Sequence, residues 1–178
     1  IAKQFTKKVY VKGPERSAQR NFGALKSHGT YVLFIDSDMV LTRDVVRDCV
    51  LSQGKAVIIP EKSFGVGFWA QCKAFEKEMY IGDDDIEAPR FFDKKLFFSV
   101  GGWDEQMIAA EDWDLRNRVR SKVRLTRVRS LIMHNEGRIS LISTMRKKFY
   151  YGKKLIVYLR KHAKDAKKQY QLIRPANA

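Results

Sequence analysis

The sequence predicts an α/β domain in which a mostly parallel sheet is flanked by helices. Helix and strand signals alternate through the first third of the chain, the pattern of a layered α/β architecture. The first strands read as short, near-continuous apolar runs, as strands do when helices cover both faces of a sheet. A length of 178 residues with 44% hydrophobic content is enough for one proper core.

Each element follows from local chemistry. Val9-Tyr10-Val11 reads as a short strand, and Lys12-Gly13-Pro14 as the loop after it. Ser17 is suited to cap a helix running through Ser27, with Gly29 beyond its end. Tyr31 to Ile35 is the first buried strand. Thr42 is placed to cap a helix from Arg43 to Gln53, closed by Gly54, and Ala56 to Pro60 is a second buried strand. Phe68 to Tyr80 carries apolar residues at helical spacing (Phe68, Cys72, Phe75, Met79), and Asp83-Asp84-Asp85 reads as a solvated loop. Arg90 to Phe98 is an aromatic-rich strand leading into a helical turn, which Gly101-Gly102 breaks. Glu111 to Lys122 is a helix with Leu115 and Val119 inward, and Arg124 to Met133 a strand. Ser140 to Lys168 forms one or two basic helices interrupted near Gly152.

Thirty-five Lys plus Arg against twenty Asp plus Glu give a formal charge of +15, which calls for a negative partner or surface. Nucleic acid, anionic lipid and a phosphorylated substrate all qualify. No recognised nucleic-acid motif is present, and the compact acidic groups repel phosphate unless a cation sits among them, so nucleic acid fits least well. The apolar runs fall far short of the roughly 18 residues of a membrane span, and no signal-peptide pattern is visible. Cys49 and Cys72 lack metal or disulfide-framework spacing and read as reduced thiols of a cytoplasmic protein.

Chemistry concentrates in two acidic groups. The apolar strand ends in Asp36-Ser37-Asp38, and the period of two in extended backbone points both carboxylates the same way. Such a pair suits a hard divalent cation that keeps some water and takes further ligands from a diphosphate, as in nucleotide-sugar chemistry. The plainer alternative is that both aspartates stop the strand and open a turn. Glu111-Asp112 lies at a helix start, where carboxylates offset the macrodipole and where an Asp is also well placed as a general base.

Together Gln19-Arg20-Asn21-Phe22-Gly23, Asp36-Ser37-Asp38, Gly101-Gly102-Trp103-Asp104-Glu105 and Glu111-Asp112-Trp113-Asp114-Leu115-Arg116-Asn117-Arg118 resemble the family 2 glycosyltransferases of the GT-A fold, over roughly Val9 to Glu136. The resemblance implies an inverting transferase using a nucleotide-sugar donor. It implies Mg2+ or Mn2+ on Asp38, Asp36 near the ribose, and Arg20 near the nucleotide or its diphosphate. It further implies Asp112 as catalytic base beside Glu111, and His134 as the late histidine that completes the metal site. The family begins with two strand–helix units that this sequence lacks, roughly sixty residues at about 30 per unit. Residues 1–139 are therefore expected to form a partial, N-terminally truncated GT-A domain, with 140–178 as a basic amphipathic helical tail.

His28 and His162 have no partner spacing and are expected at the surface. Arg90-Phe91-Phe92 resembles the acceptor-side segment of the family and reads equally as a core strand. In the tail, Met145, Phe149, Leu155, Ile156, Tyr158 and Leu159 interleave with Arg and Lys, as in a helix lying in a lipid interface or one packing on the domain. A lipid-linked or glycan acceptor, and a peripheral position on the cytoplasmic face of an anionic membrane, would suit the first. The competing function class is a non-catalytic basic module for anionic membrane or nucleic acid.

Overall fold

A computed structural model of the chain describes residues 2–162. After a short 3-10 turn at Ala2–Gln4 come helix α1 (Arg16–Lys26), strands β1 (Tyr31–Leu33) and β2 (Met39–Leu41), and helix α2 (Val45–Leu51). Strands β3 (Ala56–Ile58) and β4 (Glu61–Val66) precede helix α3 (Phe68–Glu78), then strand β5 (Phe91–Asp93) and helix α4 (Lys94–Ser99). Helix α5 (Glu111–Arg120), strands β6 (Thr126–Arg127) and β7 (Ile132–Arg138), and helices α6 (Leu141–Lys154) and α7 (Ile156–Lys161) complete the described chain.

The expected layering of sheets and helices is present, but the strands are less parallel than expected. Among the described residues one sheet has the order β1-β5-β3-β6 and a second the order β2-β7-β4. Only β3–β6 and β4–β7 are parallel; β1–β5, β3–β5 and β2–β7 are antiparallel. Apolar runs report that a strand is covered on both faces, not which way its neighbours run, and β5 enters between β1 and β3 against both.

Alternation along the short strands sorts side chains to two cores. Val32, Ala56 and Phe92 face one side and pack with Ala24, Phe97, Trp103, Leu115 and Val119, which places α1, α4 and α5 on that face. Val57 and Phe91 face the other and meet Met39, Val45, Cys49 and Ile132, which places α2 there. Burial pushes the Cys49 thiol up to about 11, so it is an inert core residue, while Cys72 is exposed.

Several local expectations change. Val9 to Val11 is irregular; α1 starts at Arg16 with Ser17 buried inside its first turn, and the residue ahead of it, Glu15, makes no side-chain cap. Thr42 does not cap α2. Its hydroxyl donates to the Leu131 carbonyl at 2.9 Å and accepts from the Leu131 N–H at 3.2 Å, tying β2 to the turn before β7. Helix α3 forms as expected with its apolar stripe outward: Phe68, Cys72, Phe75 and Met79 are exposed. The small Ala70 packs inward instead, against Gly65, where an added Cβ would lie 2.7 Å from both the Ala70 Cβ and the Gly137 carbonyl. The acidic loop is a turn in which two of the three carboxylates are paired, Asp84 with Arg127 at 2.6 Å and Asp85 with Arg120 at 2.7 Å.

The end of the described chain folds back onto α5. Tyr158 is buried against Met107, with Trp113 and Leu155 beside it. His162, expected at the surface, instead places its Nε2 2.7 Å from the fully buried carboxylate of Asp114, which also binds Arg118 at 2.6 Å and Lys161 at 3.0 Å. His28 is exposed, and the part of the tail beyond residue 162 lies outside the described residues. Among those described, no helix is long and apolar enough to cross a membrane.

Burial pushes the Asp114 carboxyl up, but its bonds from His162, Arg118 and Lys161 outweigh burial and hold it below its ordinary 3.8. A lowered folded pKa contributes stability above the unfolded value and loses it as pH falls through the folded one. Asp114→Ala is expected to cost roughly 3 kcal/mol near neutral pH, the low end for breaking a buried pair, because Lys161 regains water. The deficit against the parent should shrink below about pH 4. Urea unfolding of both proteins at near-neutral pH and at about pH 3 measures it.

Candidate active site

The strand expected to run to Ile35 ends at Leu33, although the Phe34 N–H still bonds the Arg90 carbonyl at 3.0 Å. Asp36-Ser37-Asp38 then forms a turn, closed by the Met39 N–H on the Asp36 carbonyl at 3.1 Å, that leads straight into β2. The two carboxylates therefore do not share a direction by strand alternation. Asp36 meets Arg20 at 2.7 Å and Arg90 at 3.5 Å, whereas Asp38 lies 3.4 Å from His134 Nε2.

The register of β2 on β7, with Met39 opposite His134, brings Asp38 and His134 together, and the Asp38 carbonyl accepts from the Asn135 N–H at 2.8 Å. On its other nitrogen, His134 Nδ1 lies 3.4 Å from Glu61 and 3.1 Å from the Lys77 ammonium. The Glu61 hydrogen bond raises the imidazole pKa against burial and Lys77. Glu61 Oε1 in turn takes Arg90 Nε at 2.5 Å. Asp36, Arg90, Glu61, His134 and Asp38 thus form one continuous chain of contacts around the turn. Burial pushes Glu61 up, but His134, Arg90 and Lys77 bring it down to about 2, so it stays ionised. Burial likewise opposes ionisation of Asp36, and the Arg20 bond with the charges of Arg20 and Arg90 holds it low.

The first and third sequence motifs meet directly. The Asn21 amide donates to the Trp103 carbonyl at 2.8 Å and to Glu105 at 3.0 Å, and its oxygen accepts the Trp103 N–H at 2.8 Å. Gly102 has φ +63°, and a Cβ there would sit 2.7 Å from the Asn21 oxygen, so the glycine is required both by conformation and by the approach of α1. Arg20, one residue earlier, lies over the Trp103 ring at 4.7 Å and reaches from Asp36 to Glu111 at 3.7 Å.

The fourth motif opens α5, and Ala110 ahead of it is left-handed at φ 59°. That conformation costs a non-glycine residue about 1–3 kcal/mol and sets the angle at which Glu111 and Asp112 enter the site. The two acids differ. Glu111 is buried, paired with Arg16 at 2.9 Å and Arg20, while burial and the charge of Asp112 raise its pKa. Asp112 is exposed, and its charge is among those that raise the pKa of Arg90 against burial. One acid is a buried, paired anchor; the other is an exposed carboxylate whose charge acts on Arg90.

Five of the six expected site residues, Arg20, Asp36, Asp38, Glu111 and His134, are joined by contacts through Arg90 and Glu61, and the sixth, Asp112, is exposed next to Glu111. Sequence reasoning missed Glu61 and Lys77 and left Arg90 ambiguous. Glu61 opens β4 after Pro60 and Arg90 precedes β5 after Pro89, positions that carry no spacing signal toward the acidic turn. Among the described residues no three or more His, Cys, Asp or Glu side chains form a metal site by themselves.

No protein-family model matches this chain. No curated protein matches it either. Among solved structures it is similar to S. aureus TarS, with a TM-score of 0.50 and 16% identity over 65% of this chain and 23% of that one. It is also similar to S. aureus TarS 1-349 in complex with UDP-GlcNAc, with a TM-score of 0.53 and 16% identity over 74% of this chain and 41% of that one. This chain thus spans less than half the length of either. At that identity the likeness is one of fold, and the fold is mixed α/β and GT-A-like.

Glu61→Gln removes the carboxylate that favours the protonated ring, so the His134 pKa is expected to fall. NMR titration of the His134 ring nitrogens in both proteins measures it, and an unchanged titration would remove Glu61 from the network.

Proposed function

We propose that this chain forms the catalytic part of a glycosyltransferase that moves a sugar from a nucleotide-diphosphate donor to an acceptor hydroxyl. The observation that carries the reading is that Asp36 and Glu111 meet on Arg20, while Arg90 links Asp36 through Glu61 to His134 and Asp38. The donor class is supported by the fold shared with TarS 1-349, whose structure holds UDP-GlcNAc.

In this reading each residue has a separate task. Arg20 and Arg90 hold Asp36 ionised and in place beside the ribose. Asp38 and His134 Nε2 fit a divalent cation as two protein ligands, and the Glu61 carboxylate at Nδ1 is the kind of outer partner that orients a ligating imidazole. When bound there, Mg2+ or Mn2+ supplies positive charge to the departing diphosphate. Asp112, exposed at the start of α5, takes the proton of the attacking acceptor hydroxyl. Displacement in one step at the anomeric carbon inverts its configuration. Glu111 stays paired with Arg16 and Arg20 and keeps the helix start in register.

The two acids then separate in kinetics. Asp112→Asn in the intact protein is expected to lower kcat by about 10² to 10⁴ while leaving donor affinity in place, since an amide keeps the shape and loses the proton acceptor. Glu111→Gln is expected to loosen Arg20 and raise KM for the donor more than it lowers kcat. Turnover and donor binding of both variants at saturating Mn2+ decide the roles, and a larger kcat loss in Glu111→Gln would reverse the assignment. Asp38→Ala is expected to abolish Mn2+-dependent binding of a nucleoside diphosphate, measured by calorimetric titration. Unchanged binding would take Asp38 out of the metal site.

A further inference from the structure

Among the described residues, helix α6 is tied at both ends, and its apolar stripe is left uncovered. It leaves β7 at Arg138 and enters α7, where buried Tyr158 and the Asp114 pairs with Lys161 and His162 hold the chain to α5. Between these anchors α6 buries no residue. Most helical stability in a protein comes from packing an amphipathic face, and 14 residues are marginal as a helix without it. The face exists: Leu141, Ile142, Met145 and Phe149 fall within one sector at about 100° per residue, and each is 45–66% exposed. By the same spacing Lys148 borders one side of that sector and Arg146 and Lys153 the other. The Lys153 ammonium lies 4.3 Å from the Phe149 ring centroid, which sets charge at the edge of the apolar stripe.

We propose that α6 is the surface by which this protein lies on an anionic lipid bilayer. An apolar stripe with basic residues along both margins inserts its side chains at the level of the acyl boundary and meets lipid phosphates with its flanks. The charge balance of +15 agrees in sign. A polyanion such as nucleic acid satisfies the basic residues and leaves Ile142, Met145 and Phe149 in water, and a second copy of the chain brings a like-charged helix to the same flank. The inference does not rest on the chemistry assigned to the active site.

Co-sedimentation with phosphatidylcholine vesicles, with and without phosphatidylglycerol, tests it on the intact protein. Binding is expected to the anionic vesicles only and to weaken as salt shortens screening below about 8 Å. Arg146→Gln/Lys148→Gln/Lys153→Gln should weaken binding about 10²-fold, each charge contributing about a factor of five to ten. Met145→Ser/Phe149→Ser should weaken it about tenfold or more with the charges intact. Both variants change only exposed residues, and unchanged thermal unfolding confirms that the domain is intact. Absence of binding to anionic vesicles at low salt would overturn the proposal. So would vesicle binding indifferent to Met145→Ser/Phe149→Ser, the mark of a general polyanion surface. Self-association in sedimentation velocity abolished by that same double variant would also overturn it, assigning the stripe to a second copy.

Discussion

The geometry of this protein depends on two guanidinium groups that let carboxylates crowd at one end of the sheets. Arg20 joins Asp36 to Glu111, and Arg90 joins Asp36 to Glu61. Without these cations, partly buried carboxylates so close together would repel, and some would take up protons. Arginine suits the position because its fork reaches two partners from one planar group and stays charged when buried. Arg20 also lies on the Trp103 ring, so the helix α1, the strand-end turn, the glycine turn and α5 are all referred to a single side chain.

One residue of offset on α5 divides the labour of its two acids. Successive helical side chains are turned by about 100°, which sends Glu111 into the arginines and Asp112 toward solvent. Adjacent carboxylates of nearly the same intrinsic acidity thereby acquire opposite environments, one paired and dehydrated, one open. The left-handed Ala110 is the local distortion that aims both.

The parts of the fold legible in the sequence were those with a long period or a long run. Leu115 and Val119 on α5, the aromatic strand turning into α4, and the buried strand at Ala56 follow from spacing alone. Strands β2 and β4 did not: Met39-Val40-Leu41 follows an acidic turn without a gap, and Glu61–Val66 mixes charge, glycine and aromatic residues because one of its sides is wet. The antiparallel insertion of β5 is a tertiary choice that no strand's own pattern encodes. In the site, motifs with internal spacing pointed to Arg20, Asp36, Asp38, Glu111 and Asp112. Glu61, Lys77 and the anchoring role of His162 depend on partners 73, 57 and 48 residues away, and such pairings leave no mark on the local sequence.

The burial of Asp114 bears on the order in which the protein is made. Its helix is synthesised well before α7, so during elongation the carboxylate has its neighbour Arg118 and lacks His162, which follows 48 residues later. A half-compensated charge resists dehydration, so burial of the Asp114 carboxylate is complete only once α7 docks on α5. The helix that carries Glu111 and Asp112 is thus completed by a segment far along the chain, which couples the seating of those two carboxylates to the docking of α7.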